Sequence, residues 1–343
     1  MKLALVSSYI SLKEGTGIAR YYFELKKRLK KAKLMEGKNT VISHVFTFPF
    51  KMLRISKNVG IIHTITTIDA LGFIVLRHKN VKKIVTYHDI GSLIHKETTP
   101  TLRMRIFSKL YLSVGFWADK VIAVSTLTRL NLIRFIKIDE NKITMINNGV
   151  CEEFEPLKNR SFKSKKFTIG YIGALHPRKG VDFVLRALAI FRMKYGNLNI
   201  EFRIYGEGPY FYHLKNLTSS LNISDWVKFM DFAPDEKLVK FYNSFDIFVL
   251  ASDWEGFGIP ILEAQRCMIP VIVKQNAEIP EEVTRYCIKM ESEEDLARKI
   301  YELIVSPKLR RKIAYGGYKY SKKFSWDKTA GETLQVYRSL LAK

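Results

Sequence analysis

The chain has 343 residues, 47% of them hydrophobic and 26% charged, which excludes a disordered polymer and calls for two domains rather than one. No apolar run reaches the roughly 18 residues that span a bilayer. Three scattered cysteines, Cys151, Cys267 and Cys287, make neither a disulfide framework nor a metal knuckle and fit a reducing compartment. The net charge is +24; residues 1–150 hold 26 Lys and Arg against nine Asp and Glu, so +17 of it lies in the first half. Such a field favours an anionic partner: a lipid surface, a nucleic acid or a phosphorylated substrate.

Strand patterns fall at 2–9, 41–48, 60–66, 83–87, 120–124 and 142–146, with helical patterns at 18–33, 68–78, 102–118 and 126–137. This alternation is the βαβ rhythm of a doubly wound parallel sheet. The start, Met1-Lys2-Leu3-Ala4-Leu5-Val6, enters a strand directly, without the apolar region of a signal peptide. The first strand leads to Gly15-Thr16-Gly17 before a helix, and the fourth ends at His88-Asp89. A histidine at a strand's carboxyl end can exchange a proton with a substrate hydroxyl. His63 is a similar, weaker candidate.

Residues 155–166 are polar and aperiodic and read as a linker between a domain at 1–154 and another at 167–325. The second half repeats the pattern. A strand at 167–172 precedes the loop 173–180, which carries Arg178 and Lys179, and a strand at 200–205 precedes Gly206-Glu207-Gly208-Pro209. An apolar strand at 247–251 leads into Glu255-Gly256-Phe257-Gly258-Ile259-Pro260, then a short helix at 261–267 bearing Glu263. A final amphipathic helix, 326–341, is expected to pack back on the first domain. Glycines and a helix N-terminus at a strand end suit a phosphate, and Arg178 with Lys179 can neutralise a diphosphate. Two carboxylates beside a phosphate need another reason, and sugar hydroxyls supply it by donating hydrogen bonds to them. Taken singly, each of these residues also fits a solvated loop. No metal-ligand spacing, Walker loop or Gly-x-Ser-x-Gly elbow occurs.

In order and spacing these motifs resemble family 4 glycosyltransferases (glycosyl transferases group 1). Glu255 to Glu263 matches the Glu-x7-Glu signature, and Gly15 to Ala19, Val85 to Asp89, Val121 to Ser125, Asn148 to Val150, Gly173 to Gly180 and Gly206 to Pro209 follow the family's other segments. The resemblance covers nearly the whole chain. It implies the GT-B fold, with two Rossmann-like domains across a cleft, and retaining transfer of a sugar from a UDP- or GDP-sugar without metal or other cofactor. By position, Glu263 would accept from the donor ribose and Glu255 would hold the transferred sugar. Phe257, Gly258 and Ile259 would lie at the donor, Arg178 and Lys179 would bind the diphosphate, Gly15, Gly17 and Gly206 would approach the donor, and His88 would contact the sugar. Ala174 stands where the family often has Arg, and Gln275-Asn276-Ala277 replaces its usual glycine pair.

The resemblance implies that the first domain takes the acceptor, and the basic charge there suits a lipid-linked or anionic one; a lipid-linked or glycan acceptor is expected, in cell-surface glycan or glycolipid synthesis. The basic first domain, and above all the Lys/Arg-rich helix from Arg20 with Phe23, Leu25 and Leu29 as its apolar stripe, suits a peripheral site on the cytoplasmic leaflet. Three other readings compete. A nucleotide-sugar epimerase would act without an acceptor. A nucleic-acid-binding module would use the basic charge but neither Glu255 nor Glu263. A Rossmann oxidoreductase would need a fuller Gly-x-Gly-x-x-Gly.

Overall fold

The computed structural model describes residues 2–7, 16–29, 32–36, 48–76, 80–163, 165–196, 198–230 and 235–342. The chain divides into two compact units, Met1–Gly149 with Ser325–Lys343, and Val150–Phe324.

The first unit holds β1 (Leu3–Ser7), α1 (Gly17–Arg28), β2 (Ala32–Glu36), α2 (Phe48–Ser56), β3 (Ile61–Thr64), β4 (Lys82–Tyr87), α3 (Gly91–Ile94), α4 (Leu102–Leu112), β5 (Lys120–Ala123), α5 (Thr126–Asn131) and β6 (Ile143–Met145). Its six parallel strands run in the order β2-β1-β3-β4-β5-β6. Every side chain of β1 and β3 is buried, as a sheet covered on both faces requires. The core joins Val6, Ile62, Val85 and Val121 of the sheet to Met52, Phe73 and Leu112 of its cover.

The second unit holds β7 (Phe167–Ile172), α6 (Val181–Tyr195), β8 (Ile200–Tyr205), α7 (Phe211–Ser220), β9 (Val227–Met230), α8 (Asp235–Asn243), β10 (Ile247–Leu250), α9 (Ile259–Arg266), β11 (Val271–Lys274), α10 (Glu281–Thr284), β12 (Ile288–Met290), α11 (Glu293–Val305) and α12 (Pro307–Ser321). Its sheet order, β12-β11-β10-β7-β8-β9, is the Rossmann order, with the topological switch between β7 and β10. The last helix, α13 (Trp326–Leu341), belongs to the first unit and packs on α1.

Several expectations are corrected. The helix expected at 18–33 stops at Arg28, and residues 32–36 form β2, paired in parallel with β1 from Leu3↔Ala32 to Ser7↔Glu36. Pairing with a buried neighbour overrides the helical propensity of that stretch. Of the strand expected at 41–48, residues 41–47 lie outside the described residues and Phe48 opens α2, with Pro49 tolerated in its first turn. The pattern at 68–78 yields a 3₁₀ turn, Asp69–Ile74, and that at 102–118 breaks into α4 and a 3₁₀ turn, Ser113–Trp117. The pattern at 126–137 becomes α5 and a π turn, Leu132–Ile136.

The boundary expected at 154/155 lies at Gly149/Val150, and 155–166 is not a free linker. Arg160 donates to the carbonyls of Phe245 (2.5 Å) and Asn243 (3.4 Å), Arg266 donates to Phe154 O (3.2 Å) and Glu155 Oε1 (2.8 Å), and Tyr318 donates to Glu155 Oε2 (2.7 Å). Charged side chains that look solvated in sequence are here the pegs that hold the segment on the second unit.

A buried polar chain ties α13 to the first sheet. His63 Nδ1 meets Tyr337 Oη at 2.6 Å, His63 Nε2 meets Thr86 Oγ1 at 2.8 Å, and Thr86 Oγ1 meets Tyr21 Oη at 3.2 Å. Burial, with a smaller push from His88, lowers the His63 pKa to about 3. The folded state thus binds this proton less well than the unfolded one. The neutral ring's contribution is complete above the unfolded pKa near 6.5 and is lost as pH falls toward about 3. Thermal melts from pH 7.5 to 4.5 are therefore expected to show a steeper loss of Tm in the wild type than in His63→Gln; equal slopes would remove this assignment. Tyr337→Phe leaves a buried imidazole nitrogen without its partner and should cost about 1–3 kcal/mol in denaturant unfolding.

Candidate active site

At the switch point of the second unit, the loops after β7 and β10 lie on adjacent strands. The β7 loop closes a 3₁₀ turn, Pro177–Lys179, through Lys179 N to His176 O (2.9 Å) and Gly180 N to Pro177 O (3.0 Å). That turn delivers Arg178 and Lys179 to the β10 loop. Lys179 Nζ lies 2.5 Å from Glu255 Oε1, and Arg178 Nη1 lies 4.0 Å from Glu255 Oε2. Ser252 Oγ donates to the same Oε1 at 2.7 Å. Arg178 also donates to Trp254 O (3.1 Å) and lies over the Trp254 ring, 4.2 Å from its centroid. Asp253 N donates to Arg178 O at 2.9 Å, so backbone joins the two loops as well.

Burial alone would raise the Glu255 pKa. The charges of Lys179 and Arg178, with hydrogen bonds from Lys179 and Ser252, override it and hold the carboxyl below its ordinary range. The side chain of Glu255 is 11% exposed and that of Arg178 29%. The cluster therefore presents an ionised acceptor and a surplus of one positive charge on the same edge.

The loop after β8 closes against the β7 loop through Gly173 N to Tyr205 O (3.0 Å) and Leu175 N to Glu207 O (2.8 Å). Gly206 is required by this approach: a Cβ there would lie 1.9 Å from Gly173 O. The β10 loop ends at Gly258, which caps α9 in the left-handed region at φ 97°. The helix starts at Ile259, two residues earlier than expected from the sequence, and includes Pro260 in its first turn. Its first amides open toward the loop. Phe257 and Ile259 are buried, Phe257 edge-on to Phe324 with centroids 6.1 Å apart. Glu263, only 2% exposed, accepts a 2.8 Å hydrogen bond from Tyr242 Oη of α8 on Oε2.

In the first unit His88 follows β4. Its Nε2 lies 3.1 Å from Ile65 O, a carbonyl that only accepts, so Nε2 carries the proton and Nδ1 keeps a lone pair. Burial lowers its pKa to about 4 against the opposing bond to Ile65 O, so the ring is neutral near pH 7. Tyr21 sits edge-on to the ring, centroids 5.0 Å apart. Gly17 opens α1 behind the Thr16 cap, whose hydroxyl accepts from Ala19 N at 3.2 Å; Gly15 lies outside the described residues. His63 is consumed by its buried chain.

The structure thus brings Arg178, Lys179, Glu255, Gly206, Phe257, Gly258, Ile259 and Glu263 to one unit, six of them on the loops after β7, β8 and β10 and two within α9. His88 and Gly17 stand on the other unit. Sequence reasoning missed Ser252, Trp254 and Tyr242. The first two lie beside Glu255 in the chain and were within reach of the same loop argument. Tyr242 lies on another helix, and no local signal points to it. Among the described residues, no group of three or more His, Cys, Asp or Glu is placed to hold a metal ion.

Comparison with known proteins bears on the family and the fold. The family model "Glycosyl transferases group 1" matches residues 153–320, and "Glycosyltransferase Family 4" matches residues 28–154. An uncharacterized glycosyltransferase of Methanocaldococcus jannaschii is 26% identical over 79% of this chain and 72% of its own length. The O-antigen chain mannosyltransferase B of Escherichia coli is 24% identical over 77% of this chain and 72% of its own. Among solved structures, sucrose-phosphate synthase of Thermosynechococcus elongatus matches with a TM-score of 0.83 at 20% identity, covering 100% of this chain and 99% of that one. HepE of Anabaena, solved with UDP-glucose, matches with a TM-score of 0.82 at 16% identity, covering 99% and 100%. The fold is GT-B, and the chain belongs to family 4 of the glycosyltransferases, the glycosyl transferases group 1.

Proposed function

We propose that this glycosyltransferase is a retaining, metal-independent enzyme. It moves a sugar from a UDP- or GDP-sugar to a lipid-linked or glycan acceptor in cell-surface glycan or glycolipid synthesis. The observation that carries the reading is the Glu255 carboxylate, kept ionised by Lys179 and Arg178 at the switch point of a Rossmann sheet. A diphosphate needs the two cations; a sugar hydroxyl needs the carboxylate. One site holding both matches a nucleotide sugar better than it matches either half alone. The UDP-glucose bound by HepE and the polymer named for the E. coli relative support the same donor and acceptor classes.

In this reading Lys179 and Arg178 turn from Glu255 toward the diphosphate as the donor enters. They then neutralise the charge that grows on the leaving phosphate. Glu255 accepts from the transferred sugar. Glu263, steadied by Tyr242, accepts from the ribose. On the first unit the Nδ1 lone pair of His88 accepts from a substrate hydroxyl, a role its neutral ring keeps across the physiological range.

Lys179→Ala leaves Glu255 with a single distant cation and removes charge from the diphosphate site. A fall in kcat/KM of about 10²-fold or more is expected in a radiolabelled sugar-transfer assay, on the scale of breaking a buried pair. Near-normal kcat/KM would overturn the assignment. Titration calorimetry with UDP and GDP should show one nucleotide preferred, and a loss of about tenfold, roughly 1.4 kcal/mol, in Glu263→Gln. His88→Ala should lower kcat by about 10²-fold while sparing nucleotide affinity. The anomeric configuration of the product, read by NMR, decides retention; sugar released or epimerised without any acceptor would favour the epimerase reading instead.

A further inference from the structure

The second unit carries a cavity that the candidate active site does not use. It lies between the segment 156–163, the start of α12 and the end of α9, and its volume is about 740 Å³, the size of a small-molecule site. A neighbouring cavity of about 360 Å³ shares Phe162, Lys163 and Pro307 with it and reaches Phe167 and Ile200, the first residues of β7 and β8. The pair thus lies toward the amino ends of the strands, whereas the candidate active site stands at their carboxyl ends.

The lining is basic. Lys158, Lys163, Lys308 and Arg311 are exposed around the larger cavity, Arg160 is half-buried in its wall, and no acidic residue lines it among the described residues. Glu155, which precedes the segment, is taken by Arg266 and Tyr318. Arg160 and, in the neighbouring cavity, Arg310 (2% exposed) donate to carbonyls: Arg160 to Phe245 O and Asn243 O, Arg310 to Leu303 O (2.6 Å) and Phe162 O. Among the described residues the Nε of each has no partner. Burial lowers the pKa of both guanidiniums. Asp246 opposes this through space, and Arg310 acts on Arg160 as a like charge. Carbonyls hold a guanidinium without neutralising it, so two cations that share one carboxylate leave a positive charge for an anion to meet.

The remaining wall is apolar, from Leu157, Phe162, Pro307 and Met268. Met268 stands there against its backbone preference. It follows α9 at φ 58°, in the left-handed region. Its N–H bonds to Gln265 O (2.9 Å) and that of Ile269 to Ala264 O (3.0 Å), the pair of bonds of a helix end that ordinarily has glycine at this position. Glycine would relieve the backbone but remove the thioether from the wall, and strain kept at one residue points to a use for its side chain.

We infer that this cavity binds a phosphate monoester of a small molecule, with the phosphate among Lys163, Lys308, Arg311 and Arg160 and the organic part against Phe162 and Met268. A doubly charged oxyanion suits several convergent Arg and Lys side chains; a carboxylate needs only one. The inference does not depend on the donor assignment, since none of these residues belongs to the loops after β7, β8 and β10.

Titration calorimetry of the full chain with phenyl phosphate, benzoate and inorganic phosphate tests this. The wild type is expected to bind phenyl phosphate about tenfold more tightly than benzoate, which lacks the second charge, or inorganic phosphate, which lacks the ring. Lys163→Gln/Lys308→Gln/Arg311→Gln should bind phenyl phosphate about tenfold more weakly with unchanged Tm, whereas Lys179→Ala should bind it as the wild type does. Met268→Gly should narrow the gap between phenyl and inorganic phosphate while keeping or raising Tm. Four results overturn the inference: no binding of phenyl phosphate by the wild type, equal affinity for benzoate, wild-type binding by the triple variant, or loss of binding in Lys179→Ala, which would put the probe at the candidate active site. UDP titrated into the triple variant should bind as it does to the wild type, so failure here and failure of the donor assignment read out separately.

Discussion

The carboxylate of Glu255 sits at the end of β10 between two cations delivered from β7, and that ion pair sets the form of the candidate site. Two positive side chains on one short turn repel each other; a partly buried carboxylate pays in lost hydration. Each tension is relieved only when the loops stand side by side, which requires β7 and β10 to be neighbours in the sheet. The Rossmann crossover makes them so. Backbone bonds from Asp253 to Arg178 and the placement of Arg178 over Trp254 then fix the distance. Without a ligand, the two cations are held on the site's own carboxylate, with one positive charge in excess.

Much of this was legible in the sequence because the relevant signals are local. Strands buried on both faces are mostly apolar, so β4, β5, β7 and β10 announce themselves as short hydrophobic runs. The site loops are marked by glycines and charges at the carboxyl ends of those runs. What escaped was decided at a distance. β2 forms because β1 needs a partner, not because residues 32–36 prefer a strand. The segment 155–166 looks like a linker because its lysines and arginines seem solvated, yet Arg160, Arg266 and Arg310 tie its region to the second unit through carbonyl oxygens, Arg310 donating to Phe162 O. Tyr242 meets Glu263 only through the packing of two helices.

The two histidines of the first sheet show how little residue type decides. Each sits at or just past a parallel strand, and each is kept neutral by burial. His63 has both nitrogens engaged, by Tyr337 and Thr86, and belongs to the frame. His88 commits one nitrogen to Ile65 O, which fixes its tautomer and aims the other lone pair as an acceptor. Tyr21 touches both environments: its hydroxyl joins the His63 chain through Thr86, and its ring edge confines His88. One side chain thus touches both the buried chain at His63 and the ring of His88.

The return of α13 to the first unit has a consequence for how the protein is made. Residues 326–341 leave the ribosome after all of the second unit, so the half of the molecule synthesised first is the half finished last. Until Tyr337 arrives, the nascent first unit holds an incomplete polar chain at His63 and an uncovered flank on α1. The second unit, contiguous from Val150 to Phe324, has no such wait. The unit whose chain begins first is thus completed by a helix synthesised after the whole of the other.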